Sequence, residues 1–137
     1  MLHGCDLVVP AGQIVARTTG TFSADIQPVI HGAQIVALQK VVRKVPVPDH
    51  VMDFVLDLVR FTRPKTGEAP AFVRDLIEWG AGPRASQYLI LAGKARALLK
   101  GRYHVSTEDI RQVALPVLRH RIVTNFNAEA EGIKSDT

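Results

Sequence analysis

The sequence predicts an all-α fold, a small bundle of about four helices, and three observations predict it. Four segments repeat apolar residues at close to 3.6 positions, Pro or Gly marks the breaks between them, and no segment alternates strictly enough to read as a strand. The hydrophobic share of 47% against only 6% aromatic residues fits a helical module packed with Leu, Val, Ile and Ala. With 137 residues, the chain is one domain's worth, with a modest core.

Residues 1–28 mix Gly, Pro, Thr and short apolar pieces without a sustained period and read as an irregular arm or linker; residues 29–124 carry the helical periodicity, and 125–137 read as a polar C-terminal tail. The first helix is expected from about His31 to Lys44, with Ile35, Leu38 and Val42 on one face and Lys40, Arg43 and Lys44 in the last turn, where the helix dipole favours cations. Val45-Pro46-Val47-Pro48-Asp49 ends it and starts a second helix, with Pro48 presetting the first turn and Asp49 meeting the dipole with the right sign. Val51, Phe54, Val55, Leu58 and Phe61 form its apolar stripe; Arg60 and Arg63 close it as solvated, dipole-complementing cations.

After a polar connector from Pro64 to Pro70, Phe72, Leu76 and Trp79 recur at i, i+4 and i+7 and suggest a short helix. Trp79 reads as a core plug, with ligand stacking as the second reading. The longest helix is expected from Pro83 to Lys100, stopped by Gly101 at C′. Ser106-Thr107-Glu108-Asp109 is a capping-box signature opening the last helix, whose stripe is Ile110, Val113, Ala114, Val117 and Leu118. Pro116 is expected to kink or split that helix, and Arg119, His120 and Arg121 close it.

The chemistry concentrates at Trp79-Gly80-Ala81-Gly82-Pro83-Arg84-Ala85-Ser86. Gly82 suits the N-cap and Pro83 position N1, where its missing N–H costs nothing. Arg84 then falls in the first turn, where the dipole repels a cation by a few tenths of a kcal/mol or more. Two readings stand at this point: a phosphate held by backbone N–H groups and one guanidinium fork, or an arginine snorkelling into solvent.

The residues also exclude several functions. A phosphate-cradling GxxxxGK[ST] loop is absent, as is an apolar strand ending in paired acids to hold Mg²⁺, so the chain lacks the Walker A and Walker B motifs and is expected to be inactive alone. His3, His31, His50, His104 and His120 are scattered singly, which gives no metal set, and the single Cys5 fits a reducing cytoplasm. The longest apolar runs fall far below the roughly 20 residues that cross a bilayer. From Trp79 to Thr107 there is no acid, while Arg84, Lys94, Arg96, Lys100 and Arg102 are basic; this leaves open a small basic helical module that binds nucleic acid or protein. Against nucleic acid, the net charge is only +4, and Lys94 and Arg96 lie about 200° apart at ~100° per residue.

WGAGPRAS, the helix of QYLILAGKARALLKGR, VSTEDI and VLRHRI, in that order, resemble the C-terminal helical lid of the MoxR group of AAA+ ATPases over residues 14–134. The resemblance implies that Arg84 is the sensor 2 residue reaching the γ-phosphate, with Gly82, Pro83 and Ala85 completing the nucleotide-binding turn. It also implies ATP and Mg²⁺ as cofactors of a complete ATPase, with none for this chain alone, and an AAA+ core domain in the same gene or another chain, to which the arm over 1–28 would lead. A ring oligomer, a chaperone-like role in maturing metal cofactors and a von Willebrand factor A domain partner follow from the same resemblance. The chain departs from the family at His31-Gly32-Ala33-Gln34, where a small polar cap and acids are usual. The family also usually continues past Thr137, so a trimmed chain is expected.

Overall fold

The computed structural model describes residues 19–20 and 29–136. The arm expected over 1–28, with His3 and Cys5, lies outside the described residues apart from Thr19 and Gly20. Two compact units divide the chain at His31, and the helical domain is the second, Gly32–Thr137. Its elements in chain order are α1 (Gly32–Lys44), α2 (Asp49–Phe61), α3 (Ala71–Leu76), β1 (Ile77–Trp79), α4 (Pro83–Leu99), α5 (Thr107–Leu118), β2 (Val123–Thr124) and α6 (Phe126–Ala130).

The prolines act as the sequence predicts. α1 stops at Lys44, the chain turns on a Val45 N–H to Val42 carbonyl bond of 3.2 Å, and α2 begins once Pro48 is passed. Pro48 is the N-cap rather than the first helical residue, held in the extended region at φ −63° and ψ 149°. Its carbonyl accepts from Val51 and Met52 at 3.0 and 3.1 Å and so satisfies two of the donors a helix start leaves open.

The core lies where α2, α4 and α5 meet. Val51, Val55 and Val59 of α2 pack against Ala85 and Leu89 of α4 and Ile110 and Leu118 of α5, with Val45, Ala81 and Val105 filling the ends. Burial of a side chain such as Leu89, fully enclosed here, contributes about 2 kcal/mol. α4 and α5 approach closely at Gly93, where a Cβ would sit 2.8 Å from Ile110 Cδ1 and 3.1 Å from Val105 Cγ1. α1 has no buried residue, and Ile35 and Leu38 of its predicted stripe remain 47% and 55% exposed.

Two expectations fail around α3. The helix ends at Leu76 and Ile77–Trp79 is extended, paired antiparallel with Val123–Thr124 in the register Ile77 to Thr124 and Trp79 to Val123. Trp79 is therefore not a core plug: it is 61% exposed on an edge strand, and Phe72 is 64% exposed, while Val73 is the buried residue of α3. The i, i+4, i+7 spacing was accidental, because the last of the three residues is not helical. Strands of two and three residues are too short to show alternation, so this small sheet had no periodic signature.

The stretch predicted as a polar tail carries α6, capped by Asn125, whose Oδ1 accepts from the Ala128 N–H at 3.1 Å. Asn125 also ties the segment back, donating from Nδ2 to the Asp75 carbonyl at 2.7 Å and from its backbone to Leu76 at 3.0 Å. α5 runs unsplit from Thr107 to Leu118 through Pro116. Pro116 falls in the last turn, where the missing N–H removes one ladder bond and no further turns depend on it.

The junction of α4 and α5 follows prediction closely. Gly101 adopts φ +69°, its N–H reaches Leu98 at 2.9 Å and the Arg102 N–H reaches Ala97 at 2.9 Å, which is a Schellman ending. Ser106 and Asp109 form the reciprocal capping box, with the Ser106 N–H donating to Asp109 Oδ2 at 3.0 Å and the Asp109 N–H donating to Ser106 Oγ at 3.3 Å. Beyond the cap, and not foreseen from the motif, Asp109 is fully buried and gripped by the Arg102 fork, through Nη1 to Oδ2 at 2.7 Å and Nη2 to Oδ1, with Arg96 Nε 3.6 Å from Oδ1. The Arg102 hydrogen bonds outweigh burial and, with Ser106, hold the Asp109 carboxyl down at about 2. The same contact raises the Arg102 guanidinium.

Candidate functional site

The turn from β1 into α4 carries the predicted site. Gly82 is the N-cap, at φ −85° and ψ 178°, and Pro83 opens the helix. Gly82, Pro83 and Arg84 all face solvent together at the start of α4. Ala85, the fourth predicted residue, is fully buried in the core, and its N–H is bonded to the Gly82 carbonyl at 2.9 Å. Ala85 therefore anchors the turn from inside and leaves its outward face to Arg84. Among the described residues, no hydrogen bond or ion pair engages the Arg84 side chain.

The turn is held from behind by the end of α2. Thr62, the C-cap of α2, donates from its hydroxyl to the Val59 carbonyl at 2.7 Å and accepts from the Ala81 N–H at 2.9 Å. Arg63 Nε donates to the Ala81 carbonyl at 3.0 Å. Arg63 was expected to be a solvated cation; instead it grips the loop that leads to Arg84. Gly80 permits this approach, since a Cβ there would lie 2.2 Å from the Thr62 carbonyl oxygen and 2.7 Å from Arg63 Cα. Sequence reasoning missed Thr62 and Arg63 because both bonds cross 18 or more residues; the one available signal was a Gly preceding the predicted cap.

Beside the turn, Arg63, Lys65, Glu78, Trp79 and Gly80–Pro83 line a groove of about 300 Å³. The Lys65 ammonium sits 5.0 Å over the Trp79 ring, so the ring meets a cation and solvent. Of the four other cations between Trp79 and Thr107, Arg96 and Arg102 are engaged at Asp109 and Lys94 bonds the Arg43 carbonyl near the end of α1 at 3.0 Å, while Lys100 stays exposed.

These residues fit only part of a Mg²⁺-nucleotide. An exposed guanidinium at a helix start suits phosphate oxygens. Among the described residues, no group of three or more His, Cys, Asp or Glu side chains could hold a metal ion. No described helix is long and apolar enough to cross a membrane.

A family model of the AAA lid domain matches residues 71–137. The chain is 31% identical over 108 residues to the chaperone MoxR1 of Mycobacterium tuberculosis, a match that covers 79% of this chain and 29% of that protein. It is 47% identical over 47 residues to the protein MoxR of Paracoccus denitrificans, covering 34% of this chain and 14% of the relative. A crystal structure of a Cytophaga hutchinsonii protein whose name suggests an ATPase superposes with a TM-score of 0.75 at 29% identity, over 90% of this chain and 38% of the other. The chain thus spans less than a third of the length of the curated relatives it matches.

Proposed function

This chain belongs to the MoxR family of AAA+ ATPases as a lid domain, and from that premise we propose that it delivers Arg84 as a sensor 2 arginine to the γ-phosphate of ATP held by an AAA+ core. The observation that carries the reading is the placement of Arg84: an exposed guanidinium, unpaired among the described residues, in the first turn of α4, on a turn fixed by α2. A cation there is locally unfavourable, which makes sense when an anion arrives. Bound ATP and Mg²⁺ supply the phosphoryl-transfer chemistry; this chain supplies one donor to the charge that develops on the phosphate. Gly82 and Pro83 expose the helix start, and Ala85 locks it to the core.

Closure of the lid would form the Arg84 contact and opening would break it, coupling hydrolysis to rigid-body motion. In this reading the complete protein is a cytoplasmic, ring-forming, chaperone-like ATPase, with a von Willebrand factor A domain protein as a partner. The engagement of Lys94, Arg96 and Arg102 with groups of the domain itself weighs against a nucleic-acid-binding module.

In the complete ATPase, Arg84→Ala is expected to lower turnover by roughly 10²-fold, as for loss of a preorganised donor. Arg84→Lys is expected to restore little, because a point charge lacks the planar fork. Neither change is expected to lower the melting temperature: Arg84→Ala removes a cation from a helix N-terminus, which is neutral or slightly stabilising, and Arg84→Lys exchanges one exposed cation for another. Intact hydrolysis in Arg84→Ala, or melting of the domain, sinks the proposal. Calorimetry on the 137-residue chain with Mg·ATP is expected to show weak binding or none; micromolar affinity would contradict a site completed by the core.

A further inference from the structure

We infer that Thr62 and Arg63 are positioning residues for Arg84, so that α2 and not only α4 determines where the guanidinium sits. The inference rests on the sensor 2 reading of Arg84 and adds the element that aims it.

Arg84 has no partner of its own among the described residues, so the backbone beneath it sets its starting point. That backbone is fixed at one residue. Both polar groups of Ala81 are held by the end of α2, the N–H by Thr62 Oγ1 at 2.9 Å and the carbonyl by Arg63 Nε at 3.0 Å. Ala81 is itself fully buried, and the Gly80 backbone rests against the Thr62 carbonyl. One hydrogen bond on each of the two peptides that meet at Ala81 fixes the orientation of both planes, and with them the direction in which the chain leaves for α4. From Ala81 to Arg84 only Gly82 is conformationally free, because Pro83 locks its own φ and Ala85 is embedded in the core. The Thr62 hydroxyl is in turn aimed by its 2.7 Å bond to Val59, inside α2. The chain of control thus runs from α2 through the Thr62 hydroxyl and Ala81 to the first turn of α4.

Misplacement of a catalytic group by about 1 Å costs up to roughly 10²-fold in rate, so partial loosening of this clamp is expected to cost less. Thr62→Val keeps the shape and removes the hydroxyl; Thr62→Ser keeps the hydroxyl. In the complete ATPase, Thr62→Val is expected to lower kcat and kcat/KM for ATP together by about 10-fold, the mark of an interaction made in the transition state, and Thr62→Ser to stay within about 2-fold. In an Arg84→Ala background, Thr62→Val is expected to add nothing, because its effect passes through Arg84. In the 137-residue chain, the Ala81 amide is expected to exchange with solvent at least about 10-fold faster in Thr62→Val than in wild type or Thr62→Ser.

If Arg84→Ala lowers turnover by roughly 10²-fold while Thr62→Val does not change it, the sensor reading stands and the positioning role is overturned. If Thr62→Val lowers turnover equally with and without Arg84, its role is merely structural and the inference is again overturned. Intact turnover in Arg84→Ala removes the reading itself, and unchanged Ala81 exchange in Thr62→Val removes the clamp.

Discussion

Replacing Asp109 by Asn tests the most heavily engaged polar side chain of the domain. Asp109 is fully buried and accepts from Arg102 Nη1 at 2.7 Å, Arg102 Nη2, the Ser106 N–H at 3.0 Å and Ser106 Oγ at 2.8 Å. These contacts hold its carboxyl at about 2 instead of the ordinary 3.8. At about 1.4 kcal/mol per unit, the folded state gains on the order of 2 kcal/mol from Asp109 at neutral pH. The cost of Asp109→Asn stays near that figure rather than at the higher value for an orphaned buried charge, because Arg96 and Arg102 keep about a third of their side-chain surface in water.

A depressed carboxylate stabilises fully above its unfolded value and loses its contribution as the pH falls through its folded value. The difference in unfolding free energy between wild type and Asp109→Asn is therefore expected to be about 2 kcal/mol at pH 7, to narrow from about pH 4 downwards, and to be nearly gone near pH 2. Urea titrations of the 137-residue chain across that range measure it, with an unchanged m-value confirming that only stability moved. A gap below about 0.5 kcal/mol at pH 7, or one independent of pH, would refute the argument that the Arg102 grip stabilises the fold.

Other perturbations separate buried from exposed features of the site turn. Gly80→Ala drives a Cβ into the Thr62 and Arg63 backbone and is expected to cost about 3 kcal/mol, whereas Gly82→Ala, with open space around its Cβ, costs under about 1 kcal/mol; thermal unfolding of both variants checks the contrast. Trp79→Ala is expected to cost about 1 kcal/mol or less, far below the 3–5 kcal/mol of a buried Trp, because its ring is 61% exposed; the same melting experiment decides it.

The readable parts of the fold were those fixed by local chemistry. Pro46 and Pro48 between α1 and α2, Pro83 at the start of α4, Gly101 at its end and the Ser106–Asp109 box each act within a few residues of their own position. Trp79 was misread because its fate depends on pairing with Val123, more than forty residues away. Arg63 was misread for the same reason, since a cation after a helix looks alike whether it is solvated or turned back onto Ala81. At the site, the placement of Arg84 was legible from the Gly-Pro-Arg order, and the clamp behind it was not. The stripe of α1 was read correctly as a pattern, but it remains about half exposed because periodicity does not say how deeply a face is covered.

Arg102 does two jobs with different atoms: its backbone N–H closes the end of α4 on Ala97, and its guanidinium grips Asp109 at the third position of α5. Fraying of either helix terminus at this corner therefore disturbs the other, which welds the α4–α5 hairpin into a single cooperative unit. In the proposed lid closure such a unit would move as a lever arm. A torque applied at the Arg84 end of α4 would then reach the far corner without being absorbed by a loose joint.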